Sequence, residues 1–158
     1  MSSQPSTGTG ELSAAERAFY SRQLILPEMG YEAQLALKRA RVVVLGAGGL
    51  GAPALLYLAG AGVGQIVVVD DDVVDASNLH RQVIHTHARV GNSKAESAAE
   101  SLRSLNPFIE VVPVRERLTD ESVATLLSDA DLVLDGSDNF EARNVVSAAA
   151  ARAEIAHV

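Results

Sequence analysis

The run Val42-Val43-Val44-Leu45, followed at once by Gly46-Ala47-Gly48-Gly49-Leu50-Gly51 and a long apolar stretch, constrains this chain more than any other segment. Four consecutive apolar residues, three of them β-branched, read as a strand buried on both faces. The glycine-rich segment reads as a tight turn, and the stretch after it as a helix. Strand, glycine loop and helix in that order form the phosphate-binding corner of a Rossmann-like unit. Gly46 permits the turn. Gly48 and its neighbour Gly49 let the backbone approach an anion, and Gly51 lets the helix pack close to the sheet. The first helical N–H groups then face the anion, assisted by the helix dipole. Dehydrogenases, flavoproteins and methyltransferases carry similar loops, so the loop alone does not select the ligand.

The rest of the chain extends that corner into a doubly wound α/β fold. Strands are predicted at 41–45, 65–70, 109–114 and 131–135, with another beginning near Ile155. Helices are predicted at 49–60, 93–105, 120–128 and 140–153. Ser93-Lys94-Ala95-Glu96 has the capping-box pattern, and Asn106-Pro107 ends that helix. Alternation of strands and helices implies right-handed parallel βαβ units with helices on both faces. Ahead of this unit, 11–40 is predicted as a helical arm. A short helix runs from Leu12 to Tyr20, with Ser13 as cap and Glu16 as its partner. Ser21 to Pro27 is extended, and a second helix covers Tyr31 to Ala40. Residues 1–10 are predicted disordered. The domain proper is 41–158, and its mainly parallel sheet is expected to be incomplete at the C-terminus, where Ile155-Ala156-His157-Val158 begins a strand.

Composition narrows the function. The 158 residues suit one domain, and 47% hydrophobic content supplies a core. A net charge of −7 argues against a general nucleic-acid binder. No apolar run reaches the ~18 residues of a membrane span, and the N-terminus lacks the pattern of a signal peptide, so the cytoplasm is the default location. There is no cysteine. His80, His85 and His87 therefore do not suggest zinc, which in structural sites wants four ligands and usually thiolates. His157 reads as structural.

The polar residues gather where such folds bind ligands, beyond the carboxyl ends of the strands. Asp70 ends the second predicted strand 24 residues after Gly46, close to the spacing of about 20 at which an acidic residue bonds a ribose hydroxyl. Asn78, Arg81 and Gln82 follow on the next loop, and the planar fork of Arg81 suits phosphate oxygens. Lys94 opens a helix, where the dipole disfavours a cation unless an anion is near. Asp138 and Asn139 follow the fourth strand. A carboxylate there can hold Mg²⁺ against phosphates, and either residue can instead cap the helix.

Together these segments resemble the ThiF-type adenylyltransferases, bacterial activators of ubiquitin-like sulfur carriers and relatives of the ubiquitin-activating enzymes. The matching stretches are Tyr20 to Pro27, Gly46 to Gly51, Asp70 to Gln82, Val90 to Lys94 and Asp135 to Arg143. The resemblance runs from about Arg17 to Val158. It implies binding of ATP·Mg²⁺ and attack on the α-phosphate by the C-terminal glycine carboxylate of a small carrier ending in Gly-Gly, in molybdopterin- or thiamine-type sulfur transfer. By the same resemblance, Asp70 holds the ribose, and Asn78, Arg81, Gln82 and Lys94 contact phosphates. Asp138 holds Mg²⁺. Arg22 acts as an arginine finger in the partner's site of a homodimer, so the implied catalytic set is Arg22, Arg81, Lys94 and Asp138. Phe19 is a departure, since the family often carries arginine there. The family's second half, with the carrier groove and in many members zinc and catalytic cysteines, is expected to be missing from these 158 residues. The chain is accordingly expected to be the N-terminal part of such a domain and a poor enzyme alone. Two rival readings share the glycine loop and Asp70: an NAD(P)-dependent oxidoreductase and a non-catalytic nucleotide-binding scaffold. Arg81, Lys94 and Asp138 favour ATP over a dinucleotide.

Overall fold

The computed structural model describes residues 10–137 and 140–158. The predicted disordered tail, apart from Gly10, lies outside the described residues, as do Asp138 and Asn139. The described residues build an α/β fold around a parallel sheet of β1 (Arg41–Leu45), β2 (Gln65–Val69), β3 (Glu110–Val114), β4 (Leu132–Asp135) and β5 (Ala156–His157). The strand order is β3-β2-β1-β4-β5. Val43 pairs with Val67 on one side and Val133 on the other. The chain therefore winds outward through β2 and β3, then returns across β1 to β4. The order reverses between β1 and β4, and ligands bind outside the carboxyl ends of the strands at such a switch point.

Residues of the central strands alternate between two cores. Val42, Val44, Ile66 and Val68 pack with α4 (Gly51–Ala61) and α5 (Lys94–Leu105). Val43, Leu45, Val67 and Val69 face the other layer, with α6 (Asp120–Leu127) and α7 (Phe140–Ala153). Burial on both faces explains why these strands read as unbroken apolar runs. Pro113 is tolerated in β3 because β3 is an edge strand, paired only with β2 among the described residues.

The N-terminal segment forms α1 (Ala14–Phe19), α2 (Ser21–Leu24) and α3 (Gly30–Arg39). At α1 the capping box is complete, with Glu16 N–H bonded to Ser13 Oγ at 3.2 Å and Ser13 N–H to Glu16 Oε2 at 2.8 Å. The predicted extended segment from Ser21 to Pro27 is instead helical over its first four residues. Tyr20 is the cause. It is 3% exposed, and its hydroxyl accepts a 2.8 Å bond from Asn106 Nδ2. With Tyr20 fixed, Gln23 and Leu24 N–H bond back to its carbonyl at 2.9 and 3.0 Å. Two further boundaries differ. Helix α4 begins at Gly51 rather than Gly49, which leaves Gly49 and Leu50 in the loop. Ser93 makes only its own half of the predicted box, a 3.5 Å contact from Glu96 N–H. Among the described residues no helix is long and apolar enough to cross a membrane.

Candidate functional site

A cavity of about 860 Å³ opens at the switch point. The glycine loop is its floor, and the local geometry explains two of the glycines. Gly46 has φ +85°, where residues with a Cβ are strained, and a Cβ there would lie 3.1 Å from Gly136 O. At Gly51 a Cβ would sit 1.8 Å from Gly46 O, so any other residue would push α4 off the loop. Gly48 and Gly49 differ. Both line the cavity, and a Cβ on either would project toward Gln82 or Arg81, with no atom closer than 3.6 Å. Protein packing does not require glycine at these two positions, whereas a ligand lying on the backbone would. Among the described residues the N–H groups of Gly48, Gly49 and Leu50 have no acceptor. They cluster at the N-terminus of an 11-residue helix, the arrangement that attracts an anion.

Asp70, at the end of β2, braces this loop. One carboxylate oxygen accepts from Ala47 N–H at 2.7 Å and the other from Asp72 N–H at 2.9 Å. Each oxygen retains a lone pair for a further donor. The 72–74 segment then pairs with 91–94. Val74 N–H bonds to Asn92 O at 2.8 Å, and Val73 bridges Ser93. That pairing brings Lys94 under the acidic run, where its ammonium lies 2.8 Å from Asp72 Oδ2. A cation in the first turn of α5 thus has an anionic partner inside the protein, which offsets the unfavourable dipole. Asp71 and Asp72 are both exposed on the cavity wall.

A 3₁₀ turn over Ala76–Asn78 presents the next group. Asp75 caps it, accepting from Ser77 N–H at 2.7 Å and Ser77 Oγ–H at 2.6 Å, and the Ser77 hydroxyl and amide hold the Asp75 carboxyl below its ordinary range. Arg81 lies beside Gly49, and its Nη2 donates to Asn78 Oδ1 at 2.6 Å. Asn78 is not on the cavity wall; it holds Arg81 there. Gln82 is 5% exposed, with its amide nitrogen toward Gly48 and Oε1 without a partner among the described residues.

The cavity therefore joins Gly46, Gly48, Gly49, Asp70, Arg81, Gln82 and Lys94. Gly51 lies beneath the loop rather than on the wall. Arg22 is elsewhere, exposed on α2, and the neighbouring Gln23 donates from Nε2 to Ala61 O at 3.1 Å, at the end of α4 remote from the loop. Asp138 and Asn139 lie outside the described residues. Among the described residues no group of three or more His, Cys, Asp or Glu could hold a metal ion. A second hollow of about 470 Å³ beside α6 contains neither the loop nor a cation.

Several residues on the wall or behind it have no role read from the sequence. Glu116, Arg117 and Leu118, from the loop after β3, also line the cavity. Arg143 grips Ser137 O through Nε and Nη2 at 3.1 and 2.7 Å. The least expected is His85, 5% exposed, which bonds to Ala47 O and Ser97 Oγ at 2.9 Å each. Burial holds its imidazole below the usual histidine range, against the raising effect of the Ala47 carbonyl.

The sequence pattern of the ThiF family matches residues 20–158. The chain is 56% identical over 139 residues to the probable adenylyltransferase/sulfurtransferase MoeZ of Mycobacterium tuberculosis, covering 88% of this chain and 36% of that protein. It is 48% identical over 145 residues to the molybdopterin-synthase adenylyltransferase of Salmonella typhimurium, covering 92% of this chain and 58% of the relative. The fold superposes with a TM-score of 0.88 on the crystal structure of the E. coli tRNA N6-threonylcarbamoyladenosine dehydratase TcdA in complex with ATP. That match has 31% identity and covers 94% of this chain and 60% of the other. The chain thus spans between about a third and six tenths of the length of these relatives.

Proposed function

The chain belongs to the ThiF family, and from that premise we propose that it binds ATP in the switch-point cavity to adenylate the C-terminal glycine carboxylate of a small ubiquitin-like sulfur carrier. A carboxylate oxygen of the carrier attacks the α-phosphorus, the bond to the bridging oxygen breaks, and pyrophosphate leaves with the electron pair. The products are an acyl-adenylate and pyrophosphate. The observation that carries the reading is the meeting of unpaired loop N–H groups with Arg81 and Lys94 around one cavity. Two cations facing a helix N-terminus suit a triphosphate better than the single pyrophosphate of a dinucleotide.

In this reading the loop amides hold the phosphates and Asp70 holds the ribose. Arg81, Gln82 and Lys94 stabilise charge on the reacting phosphate and the leaving group, and Asn78 keeps Arg81 in place. Such catalysis is mainly positioning and electrostatics. Asp138 would hold Mg²⁺ beside Asn139, since one carboxylate together with substrate phosphates is a common way of binding that ion, and Mg²⁺ would neutralise charge on the phosphates. Arg22 acts in the site of a second copy of the chain, which makes the working unit a cytoplasmic homodimer. The carrier ends in Gly-Gly and belongs to molybdopterin- or thiamine-type sulfur transfer.

The test is ATP–pyrophosphate exchange with candidate carriers ending in Gly-Gly, together with calorimetry of ATP·Mg²⁺ and NAD. Tighter binding of ATP than of NAD is expected of this chain, and carrier-dependent exchange of a protein in which the family's second half is also present. Tighter NAD binding would overturn the reading.

A further inference from the structure

The buried His85 lies behind the phosphate loop, where it touches no ligand space and has no part in the chemistry proposed above. Its two bonds nevertheless determine how the loop faces the cavity. Ala47 O can only accept, so His85 Nε2 carries a hydrogen and donates to it over 2.9 Å. In the neutral ring Nδ1 is then the acceptor, and it takes the hydroxyl hydrogen of Ser97 over 2.9 Å. Ser97 lies on α5 one turn after Lys94 and is 1% exposed. The imidazole thus ties the loop to the helix that presents Lys94.

The consequence follows from peptide geometry. The carbonyl of Ala47 and the N–H of Gly48 belong to one trans peptide plane, in which C=O and N–H point in opposite directions. With the carbonyl drawn inward to His85, the Gly48 N–H must point outward, toward the cavity. Among the described residues no other hydrogen bond holds that plane, and Gly48 and Gly49 can take the conformations a flipped peptide would need. The Ala47 N–H, held by Asp70 at 2.7 Å, belongs to the preceding plane and leaves this one free to rotate. We propose that His85 is a positioning residue: by holding the Ala47 carbonyl it aims the Gly48 amide at a phosphate of the bound nucleotide. This inference rests on reading the cavity as a phosphate site.

His85→Gln, His85→Asn and His85→Leu separate this role from simple packing. The glutamine amide can reach where Nε2 stands and donate to Ala47 O. The asparagine amide is too short, and leucine cannot donate. ATP and adenosine are titrated into each full-length variant. His85→Leu and His85→Asn are expected to lose about tenfold in ATP affinity, the value of one charge-assisted hydrogen bond, while adenosine affinity is unchanged. His85→Gln should stay within about threefold of the parent by the same measure. Unchanged ATP affinity in His85→Leu, a parallel loss of adenosine, or a glutamine variant as weak as asparagine would each overturn the role. If His85→Leu does not fold, the glutamine–asparagine pair makes the same comparison. Inorganic pyrophosphate, followed through the Gly48 amide resonance, tests the aim of that N–H without a nucleotide. A shift in the parent that is lost in His85→Asn supports the inference even where ATP binding fails. Equal shifts in both, or none in the parent, defeat it whatever ATP does.

Discussion

The Lys94 ammonium lies 2.8 Å from the Asp72 carboxylate, and the two backbones are joined as well, Lys94 N–H to Asp72 O at 3.0 Å. The pair is lopsided, with the lysine side chain 8% exposed and the aspartate 70%. A withdrawn cation therefore rests against an anion that water already solvates. Asp72 costs little to displace, and the triphosphate of the proposed substrate would take its place.

The first prediction follows from that asymmetry. Asp72→Asn should bind ATP slightly more tightly, by no more than about fivefold, because an ion pair with one exposed partner is worth at most ~1 kcal/mol. Lys94→Ala should lose about tenfold or more, the scale of a hydrogen bond to a charged group. Calorimetry on both variants checks this. An Asp72→Asn protein as impaired as Lys94→Ala would mean that Asp72 itself contacts the nucleotide.

Arg81 and Asn78 make a second, graded pair. Arg81→Ala should weaken ATP by about ten- to a hundredfold and leave adenosine nearly unchanged, since only phosphates lose a charge-assisted donor. Asn78→Ala should fall between this variant and the parent, because it frees the guanidinium held at 2.6 Å without removing it. A larger loss in Asn78→Ala than in Arg81→Ala would mean that Asn78 is the ligand contact and Arg81 its support.

The strand pattern was legible because its cause is local. Val42 to Leu45 are buried on both sides of the sheet, so the sequence has to be apolar without interruption, and β1 runs over 41–45 as expected. The start of α4 was harder, since Leu50 stands at the N-cap without a capping side chain to mark it. Helix α2 depends on Tyr20 finding Asn106, 86 residues away. No window of sequence contains that contact. The loop, Asp70, Arg81, Gln82 and Lys94, which line one cavity, could be singled out because each carries a charge, an amide or a glycine at a recognisable offset. His85 escaped for the opposite reason. A histidine gains its role here from Ala47 and Ser97, 38 and 12 residues distant, and nothing about its own position announces them.

A third prediction concerns pH. Burial keeps the His85 pKa below the ordinary 6.5. Between that value and the lower folded one, the unfolded chain binds a proton that the folded chain refuses. Stability therefore rises with pH across the window and is lost on acidification below about 6.5. The melting temperature should fall more steeply below that pH in the parent than in His85→Gln. Glu16 does not confuse the reading. Burial pushes its carboxyl up, but Lys38 and Ser13 outweigh that and keep it below 4.5, so its contribution disappears only at lower pH. Superimposable pH–melting curves for the two proteins would show that His85 titrates as it does in the unfolded chain.

Asp138 admits a sharp choice. As the proposed Mg²⁺ ligand, its change to Ala should abolish Mg²⁺-dependent turnover and spare folding. As a helix N-cap alone, the same change should cost ~1 kcal/mol of stability and leave activity in place. Pyrophosphate exchange measured beside a thermal melt distinguishes the two outcomes.

The last prediction is that Arg22 works in trans. Two anchors flank it, the buried Tyr20 and the half-buried Gln23. Tyr20 is bonded to Asn106 at 2.8 Å, and Gln23 to Ala61 O at 3.1 Å. Ala61 is the final residue of α4, whereas the phosphate loop lies at its beginning, 11 residues earlier. At about 1.5 Å per residue the helix separates them by roughly 15 Å, farther than an arginine side chain reaches. The anchors also oppose any swing of the arm toward its own loop. If Arg22 serves catalysis at all, it must enter the cavity of another copy. An Arg22→Ala protein mixed with a Lys94→Ala protein should then recover part of the activity that each lacks, because one of the two sites in a mixed dimer carries both residues intact. Mixed dimers that form and show no recovery would remove Arg22 from the mechanism.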